Sequence, residues 1–327
     1  MAFTATDIVT DYGAYYENAG QNMSRIKTGL FQAPETLNIP GITTISQNDT
    51  IYRMANPIQT QVLQSYVKAF TPKGDLDFHP NEIRLQHLKI DNTFVPHDIE
   101  ESWLGFLAGN SMTTKDWPIS KYIIETCLLR QLNEDKENYV VYKGKYKAPT
   151  SGTPNDASET MDGFKVQLIS GAEDEKYPIH TIDGIGALTA EDCFDQIEEF
   201  TANLPVKARN LPLVLFVSPE MYTAYMRIKR NRGLYDIKSD TEIGSRVDFT
   251  KCTLRSVASM AGTTDLWATL PQNIIHLKKR DFSTSNVLVQ QNHRDVDVLI
   301  DWYEAIGFGC NDFVFATKET TTEEDGD

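Results

Sequence analysis

Three aspartates near the C-terminus, Asp295, Asp297 and Asp301, are the side chains in this chain best suited to chemistry. On a β-strand Asp295 and Asp297 project from one face, where paired carboxylates could hold a divalent metal ion. Val296, Val298 and Ile300 alternate with them, which is also the pattern of an ordinary half-buried strand with a wet face. The latter reading is preferred. Six histidines, His79, His87, His97, His180, His276 and His293, include no i,i+4 pair and read as structural or surface groups. Cys127, Cys193, Cys252 and Cys310 are scattered, with no C-x-x-C, so zinc and redox motifs are absent. Lone thiols of this kind suit a reducing cytosol. P-loop, H-E-x-x-H and G-x-S-x-G patterns are missing. The stretch DGIGAL, Asp183 to Leu188, has two glycines of a dinucleotide loop but neither the third nor a suitable preceding strand, and reads as a turn. The expectation is therefore no enzyme, no metal and no cofactor.

Two basic clusters remain. RIKRNR, Arg227 to Arg232, falls at a helix C-terminus, where cations complement the dipole, and could also meet an acidic partner. YKGKYK, Tyr142 to Lys147, alternates aromatic and Lys, and reads equally as a plain edge ribbon or as a contact with an acidic neighbour. The chain as a whole is acidic: 327 residues carry 31 basic and 46 acidic side chains, a net charge of −15. That sign argues against a free-standing nucleic-acid binder, which needs a basic face for phosphates. Enclosing DNA without gripping it remains allowed. With 40% hydrophobic and 24% charged residues the composition is ordinary for a globular chain. The first residues show no signal-peptide pattern, no apolar run is long enough to span a membrane, and the sequons at Asn22 and Asn48 read as chance matches.

The elements that must position these groups follow from periodicity. Residues 1–40 are polar with scattered aromatics and predict an extended arm with at most a short helix. Residues 41–95 predict a long hairpin, with SYVKAF and IRLQHLKI as strands and TPKGDLDFHPN as the turn. A short helix is predicted from a cap at Asp98 to Gly109. A rod of about six turns is predicted from Pro118 towards Gly144. Apolar residues surround its first half, and only a seam, Ile124–Leu128–Leu132–Tyr139, marks its second, so it should pass from the core to a wet edge. A loop then precedes a helix capped by Thr189, a fully apolar central strand LPLVLFVS, and a helix opened by Ser218-Pro219 and stopped by Gly233. Six short β-runs follow, and KETTTEEDGD reads as a mobile acidic tail.

This order resembles the major capsid proteins of tailed bacteriophages, the Hong Kong ninety-seven fold. ISKYIIETCLLRQLNEDKENYVVYKGKYKAP is similar to that family's spine helix, and ETMDGFKVQL to the start of its axial domain. LPLVLFVSPEMYTAYMRIKRNRGLYDI resembles the axial strand, Ser-Pro turn, helix and exit, ATLPQNIIHLKKRDF the strand-turn-strand, and VDVLIDWYEAIGFGCNDFVFAT the closing strands. The resemblance spans about residues 40 to 317 as an ordered series, without a signature residue.

What it implies is an α+β chain with an N-terminal arm (1–40), an E-loop hairpin (41–95), a peripheral domain with the spine (96–161), an axial domain (162–290), return strands (291–317) and an acidic tail (318–327). It implies self-assembly into hexamers and pentamers of an icosahedral shell around double-stranded DNA, in a virion assembled in the host cytoplasm. The arm carries no large fused helical region, so a separate scaffolding protein, or a pre-cleaved form, would be needed; the resemblance also implies a portal as partner. Intersubunit contacts are expected from Tyr142, Lys143, Lys145 and Tyr146, from Lys73 and Asp75 in the hairpin, and from Arg227 and Arg230. The alternatives are an encapsulin-type compartment, a tail or baseplate subunit, and a metal-dependent hydrolase using Asp295 and Asp297.

Overall fold

The computed structural model describes residues 4–17, 22–32, 34–114, 117–233, 245–280 and 286–321. In chain order its strands are β1 (Thr43–Gln47), β2 (Ile51–Gln59), β3 (Leu76–Arg84), β4 (Gln86–Phe94), β5 (His180–Ile182), β6 (Val214–Val217), β7 (Thr253–Ser256), β8 (Trp267–Thr269), β9 (Ile274–Lys279), β10 (Val287–Asn292), β11 (Asp295–Phe308) and β12 (Val314–Thr317). The helices are α1 (Ala5–Tyr12), α2 (Met23–Leu30), α3 (Pro96–Asn110), α4 (Ile119–Lys121), α5 (Leu129–Asp135), α6 (Phe164–Glu173), α7 (Cys193–Asn203) and α8 (Pro219–Asn231). This is an α+β fold.

Two sheets organise it. The first runs β1-β9-β11-β10, with β4 also paired to β11. Burial alternates along β11, with Val296, Val298, Ile300 and Trp302 turned inward, as a period of two requires. The second sheet runs β5-β12-β8-β6-β7. Its two faces both sink into apolar layers. Val214, Phe216, Trp267, Val314 and Ala316 join the core that also holds α1, α3 and α6. Leu215, Val217, Leu254, Ala268 and Phe315 join a separate core under α7 and α8. The Phe216 and Trp267 rings stack 4.1 Å apart on the first side. A strand buried on both faces must read as a continuous apolar run, which is what LPLVLFVS is. All six short β-runs predicted near the C-terminus form, and Pro219 opens α8.

The structure departs from the predicted elements in six places. The described residues within 4–38 do not form an extended arm: Thr4 and Asp7 form a capping box for α1, and Ile8, Tyr12, Tyr16, Ile26 and Leu30 are buried against the first sheet and the rod. Ala5, Ile8 and Tyr12 keep helical spacing, a signal too short to stand out from the polar residues around it. The hairpin exists, but β2 pairs with β3, so SYVKAF lies in the connection, much of TPKGDLDFHPN is strand, and the second predicted strand is divided between β3 and β4. The helix α7 begins at Cys193; Thr189 closes the preceding turn, accepting the Asp192 N–H at 3.2 Å. In the expected axial segment β9 pairs with β11 of the first sheet, and in the expected return segment β12 pairs with β5 and β8 of the second. The start of the tail is docked, with Thr320 buried and its hydroxyl accepting the Leu266 N–H at 3.0 Å; residues 322–327, like the expected exit at 234–237, lie outside the described residues.

The rod is the sixth and most informative departure. It is helical without a break from Ile119 to Val140, with π turns (Tyr122–Leu128 and Lys136–Val140) between α turns. Its middle exposes Cys127 and Arg130, but its far end is buried: Lys136, Glu137, Val140, Val141 and Tyr142 are all inaccessible. The reason is a helix-to-helix handover. The last carbonyls of one helix and the first N–H groups of the next are both orphans, and here they satisfy each other. Gly163 N–H donates to Gly144 O at 2.8 Å, Phe164 N–H to Val141 O at 2.9 Å and Lys165 N–H to Tyr142 O at 3.0 Å.

The handover needs Gly163. A Cβ there would lie 2.6 Å from the carbonyl oxygens of both Val140 and Tyr142, and backbone cannot step aside as a side-chain tip can. Gly163→Ala is expected to lower stability by about 3 kcal/mol, read as a shifted urea midpoint at unchanged slope. An unchanged midpoint would mean the two helix ends are not held this closely.

Candidate assembly surface

The β2–β3 ribbon is fixed at its root. Asn56 donates to Gly309 O at 3.1 Å and Asn81 to Phe308 O at 2.8 Å. His79 lies 3.2 Å from Asp174, on the segment that follows α6. Gly307 lets Ile83 approach β11: a Cβ there would sit 2.6 Å from the Ile83 side chain. A two-stranded ribbon is marginal by itself, so these contacts are what hold it to the body.

Beyond the root the described residues of the ribbon stand in solvent. Every residue from 60 to 78 is exposed. The tip is nevertheless closed by its own polar bonds: Gln64 donates to Thr71 O at 2.8 Å, Lys73 Nζ to Leu63 O at 2.7 Å, and Asp75 N–H to Thr60 Oγ1 at 2.7 Å. Gly74, at φ 97°, makes the turn that an L side chain would resist. The polar groups are thus turned on one another, and the apolar ones face water. Leu63 is 88% exposed, Tyr66 93% and Phe70 94%. Burying one such side chain is worth roughly 1.5–3 kcal/mol, and a contiguous apolar projection of this kind marks an interaction site.

The expected contact residues fall in three separate places. Lys73 and Asp75 belong to the ribbon tip. Arg227 and Arg230 are exposed on α8, and neither makes an ion pair among the described residues. Tyr142 to Tyr146 do not form an outward ribbon. Tyr142 is 1% exposed and donates to Asp265 at 2.7 Å, so its ring belongs to the core and is withheld from any neighbour. Lys143 Nζ donates to Ala261 O at 2.7 Å, Lys145 N–H to Ser158 O at 2.8 Å, and Tyr146 N–H to Asp162 Oδ1 at 2.9 Å. Lys143, Lys145 and Tyr146 are exposed at the surface. Of the three side chains that dominate the tip, Tyr66 and Phe70 were hidden by the alternation that made SYVKAF look like a strand, and Leu63 lies just before that run.

The three aspartates sit on the half-buried positions of β11. Asp297 accepts from Thr93 Oγ1 at 2.6 Å, and Asp301 lies 3.5 Å from His87 Nε2. Among the described residues no three His, Cys, Asp or Glu side chains gather as a metal site. No helix among them is long and apolar enough to cross a membrane.

The other concentration of charge is internal. Glu304, from the fully buried end of β11, accepts Lys136 Nζ at 2.5 Å, His276 Nε2 at 2.6 Å and Trp302 Nε1 at 3.0 Å. Burial works against its charge, but Lys136 and the hydrogen-bonded His276 overcome that and hold the carboxyl far below the usual carboxylate range. Lys136 also donates to Leu30 O at 2.6 Å, and Lys278 to Phe31 O at 2.8 Å. Glu137, beside Lys136, accepts the Thr36 N–H at 3.0 Å, the Ser259 N–H at 2.9 Å and the Thr36 hydroxyl. Charged side chains of the rod and β9 thus grip the backbone of residues 30–36.

No protein-family model matches the chain, and no curated protein matches it. Solved structures do. The chain is similar to a protein of the satellite phage P4 procapsid including the size determination (Sid) protein, with 10% identity, a TM-score of 0.54 and coverage of 95% of this chain and 96% of that one. It is also similar to the capsid of the empty GTA particle, with 11% identity, a TM-score of 0.51 and coverage of 85% of this chain and 93% of that one. The native GTA particle capsid matches with the same identity, TM-score and share of this chain, over 87% of its own length. The chain has the phage major capsid fold.

Proposed function

We propose that this protein is a shell subunit, the major capsid protein of a phage or prophage, and that it works by contacts with copies of itself. The observation that carries the reading is the ribbon tip: Leu63, Tyr66 and Phe70 stand in water on a projection whose root is anchored, in a chain with a capsid fold. A catalytic protein gathers polar groups in a cleft; this one spends its exposed aromatic surface on a protrusion.

In the finer form of the proposal the copies form hexamers and pentamers that close into an icosahedral shell. In this reading the first sheet and the rod serve as the peripheral part and the second sheet with α7 and α8 as the axial part, with a separate scaffolding protein and a portal as partners. A heterologous contact that repeats with a fixed rotation closes rings, and many modest contacts multiply into a stable shell. The net charge of −15 fits a container that encloses double-stranded DNA without gripping it. The shell would be assembled in the host cytoplasm and leave as the virion.

Negative-stain microscopy of the purified chain, with and without co-expressed scaffold, tests this. Closed shells or capsomer rings are the expected result. Tubes or open stacks would favour a tail component, particles filled with protein and free of nucleic acid a compartment, and a monomer under both conditions would sink the proposal.

A further inference from the structure

A second exposed anchor lies far along the chain from the ribbon. Phe249 is fully exposed and sits at φ 60°, a conformation that a bulky side chain rarely adopts. The turn around it is rigid. Val247 N–H donates to Cys252 O at 3.0 Å, Thr250 Oγ1 to Val247 O at 2.8 Å and Arg246 Nε to Thr250 O at 2.7 Å. From below, the buried Lys229 of α8 binds Arg246 O at 3.0 Å and Asp248 Oδ1 at 2.8 Å. An aromatic side chain presented to water on a turn fixed in this way is the form of an interface anchor, since little backbone freedom is lost when it is covered.

Beside Phe249 a cleft of about 630 Å³ opens between α7 and this turn. Its charges do not cancel. Asp195 is held bidentately by Arg232, at 2.6 and 2.8 Å, and Asp248 by Lys229, but Glu198 and Glu199 have no ion pair among the described residues. Burial and then the charges of Asp248 and Asp195 push the Glu198 carboxyl up. On the same module the opposite excess occurs. At about 100° per residue, Arg227 and Arg230 fall on the side of α8 away from the buried Tyr225 and Lys229, which face α7 and the turn. Two carboxylates with no ion pair among the described residues and one aromatic knob are thus on one side of the module, and two guanidinium groups with none among the described residues are on the other.

We infer that the Phe249 turn and its cleft dock against the outer face of α8 in a second copy of this chain, with Glu198 and Glu199 meeting Arg227 and Arg230. Because the two surfaces are different, the contact is head-to-tail, and repetition makes chains or rings rather than dimers. The occupant is a second copy because the charges match one for one within this module, and placing it in a ring rests on the shell reading above.

The test places Phe249→Cys and Arg230→Cys in one chain, in a Cys127→Ser background that removes the exposed native thiol, and adds a short bis-maleimide. A ladder of covalent dimers, trimers and higher species is expected, absent from either single variant. Adding Glu198→Arg and Glu199→Arg should reduce the ladder by roughly tenfold, and exchanging Arg227 for Glu in that chain should restore part of it. A dimer band alone, or no ladder while microscopy shows particles, would overturn the contact and leave the shell reading intact. A ladder from a chain that never forms shells would keep the contact and remove the shell.

Discussion

Changing Leu63, Tyr66 and Phe70 together to Ser is expected to abolish assembly and leave the monomer's stability almost untouched. All three side chains stand nearly free of the rest of the chain, at 88%, 93% and 94% exposure, so the folded monomer loses no contact when they are cut back. Substitutions of that kind typically change stability by less than about 0.5 kcal/mol each. Assembly is another matter. If each side chain is covered by a neighbouring copy, each supplies roughly 1.5–3 kcal/mol, and losing all three weakens every copy-to-copy contact by more than about a thousandfold. Light scattering during assembly and thermal unfolding of the unassembled chain separate the two effects. Shells formed at the wild-type rate would remove the ribbon tip from the interface. A large fall in monomer stability would mean that the tip belongs to the fold.

Glu304→Gln has the opposite signature, with the damage inside the monomer. The carboxylate is the counter-charge for Lys136, whose side chain is 6% exposed, and removing one member of a buried pair leaves the other stranded. The expected loss is about 3–5 kcal/mol, enough to unfold a marginal domain. The double change Glu304→Leu with Lys136→Met removes both charges and should recover most of that loss. If the double variant is no better than the single one, the ion pair is not the cause. The pH dependence carries a second check. The folded-state carboxyl titrates well below its ordinary value of 4.5, so the unfolded chain binds the proton first as pH falls. Stability from this site is fully present above that ordinary value and is lost progressively below it. The wild type should therefore lose stability more steeply than the Gln variant in acid. Equal slopes would show that Glu304 does not carry its charge in the folded state.

The consequence of this cluster is local as well as global. Lys136 and Lys278 hold the carbonyls of Leu30 and Phe31, and Glu137 holds Thr36, so the segment joining α2 to the first sheet is tied down by charge as well as by apolar packing. Loss of Glu304 should loosen residues 4–38 first, visible as faster amide exchange there than in the second sheet.

What the sequence determined by itself is the set of elements whose burial is decided locally. LPLVLFVS has no polar face, so it could only be a strand covered on both sides. Ser218, Pro219 and Gly233 bracket α8, and the alternation of Val and Asp along residues 295–301 fixes which side of β11 is wet. The ordered series of these pieces was enough to suggest the fold, because strand period, caps and apolar runs are properties of neighbouring residues. Tertiary structure alone decided the rest. Residues 4–38 look polar and loose until the first sheet and the rod offer Ile8, Tyr12, Ile26 and Leu30 somewhere to sit. The rod's far end carries Lys136, Glu137 and Tyr142, which in isolation predict a wet edge. They are buried because partners more than a hundred residues away, Glu304, Ser259 and Asp265, neutralise and bond them. No window of sequence contains both halves of such a pair. The same logic hid the exposed tip of the ribbon: whether Tyr66 and Phe70 line a strand or stand in water depends on which segment β3 chooses as its partner.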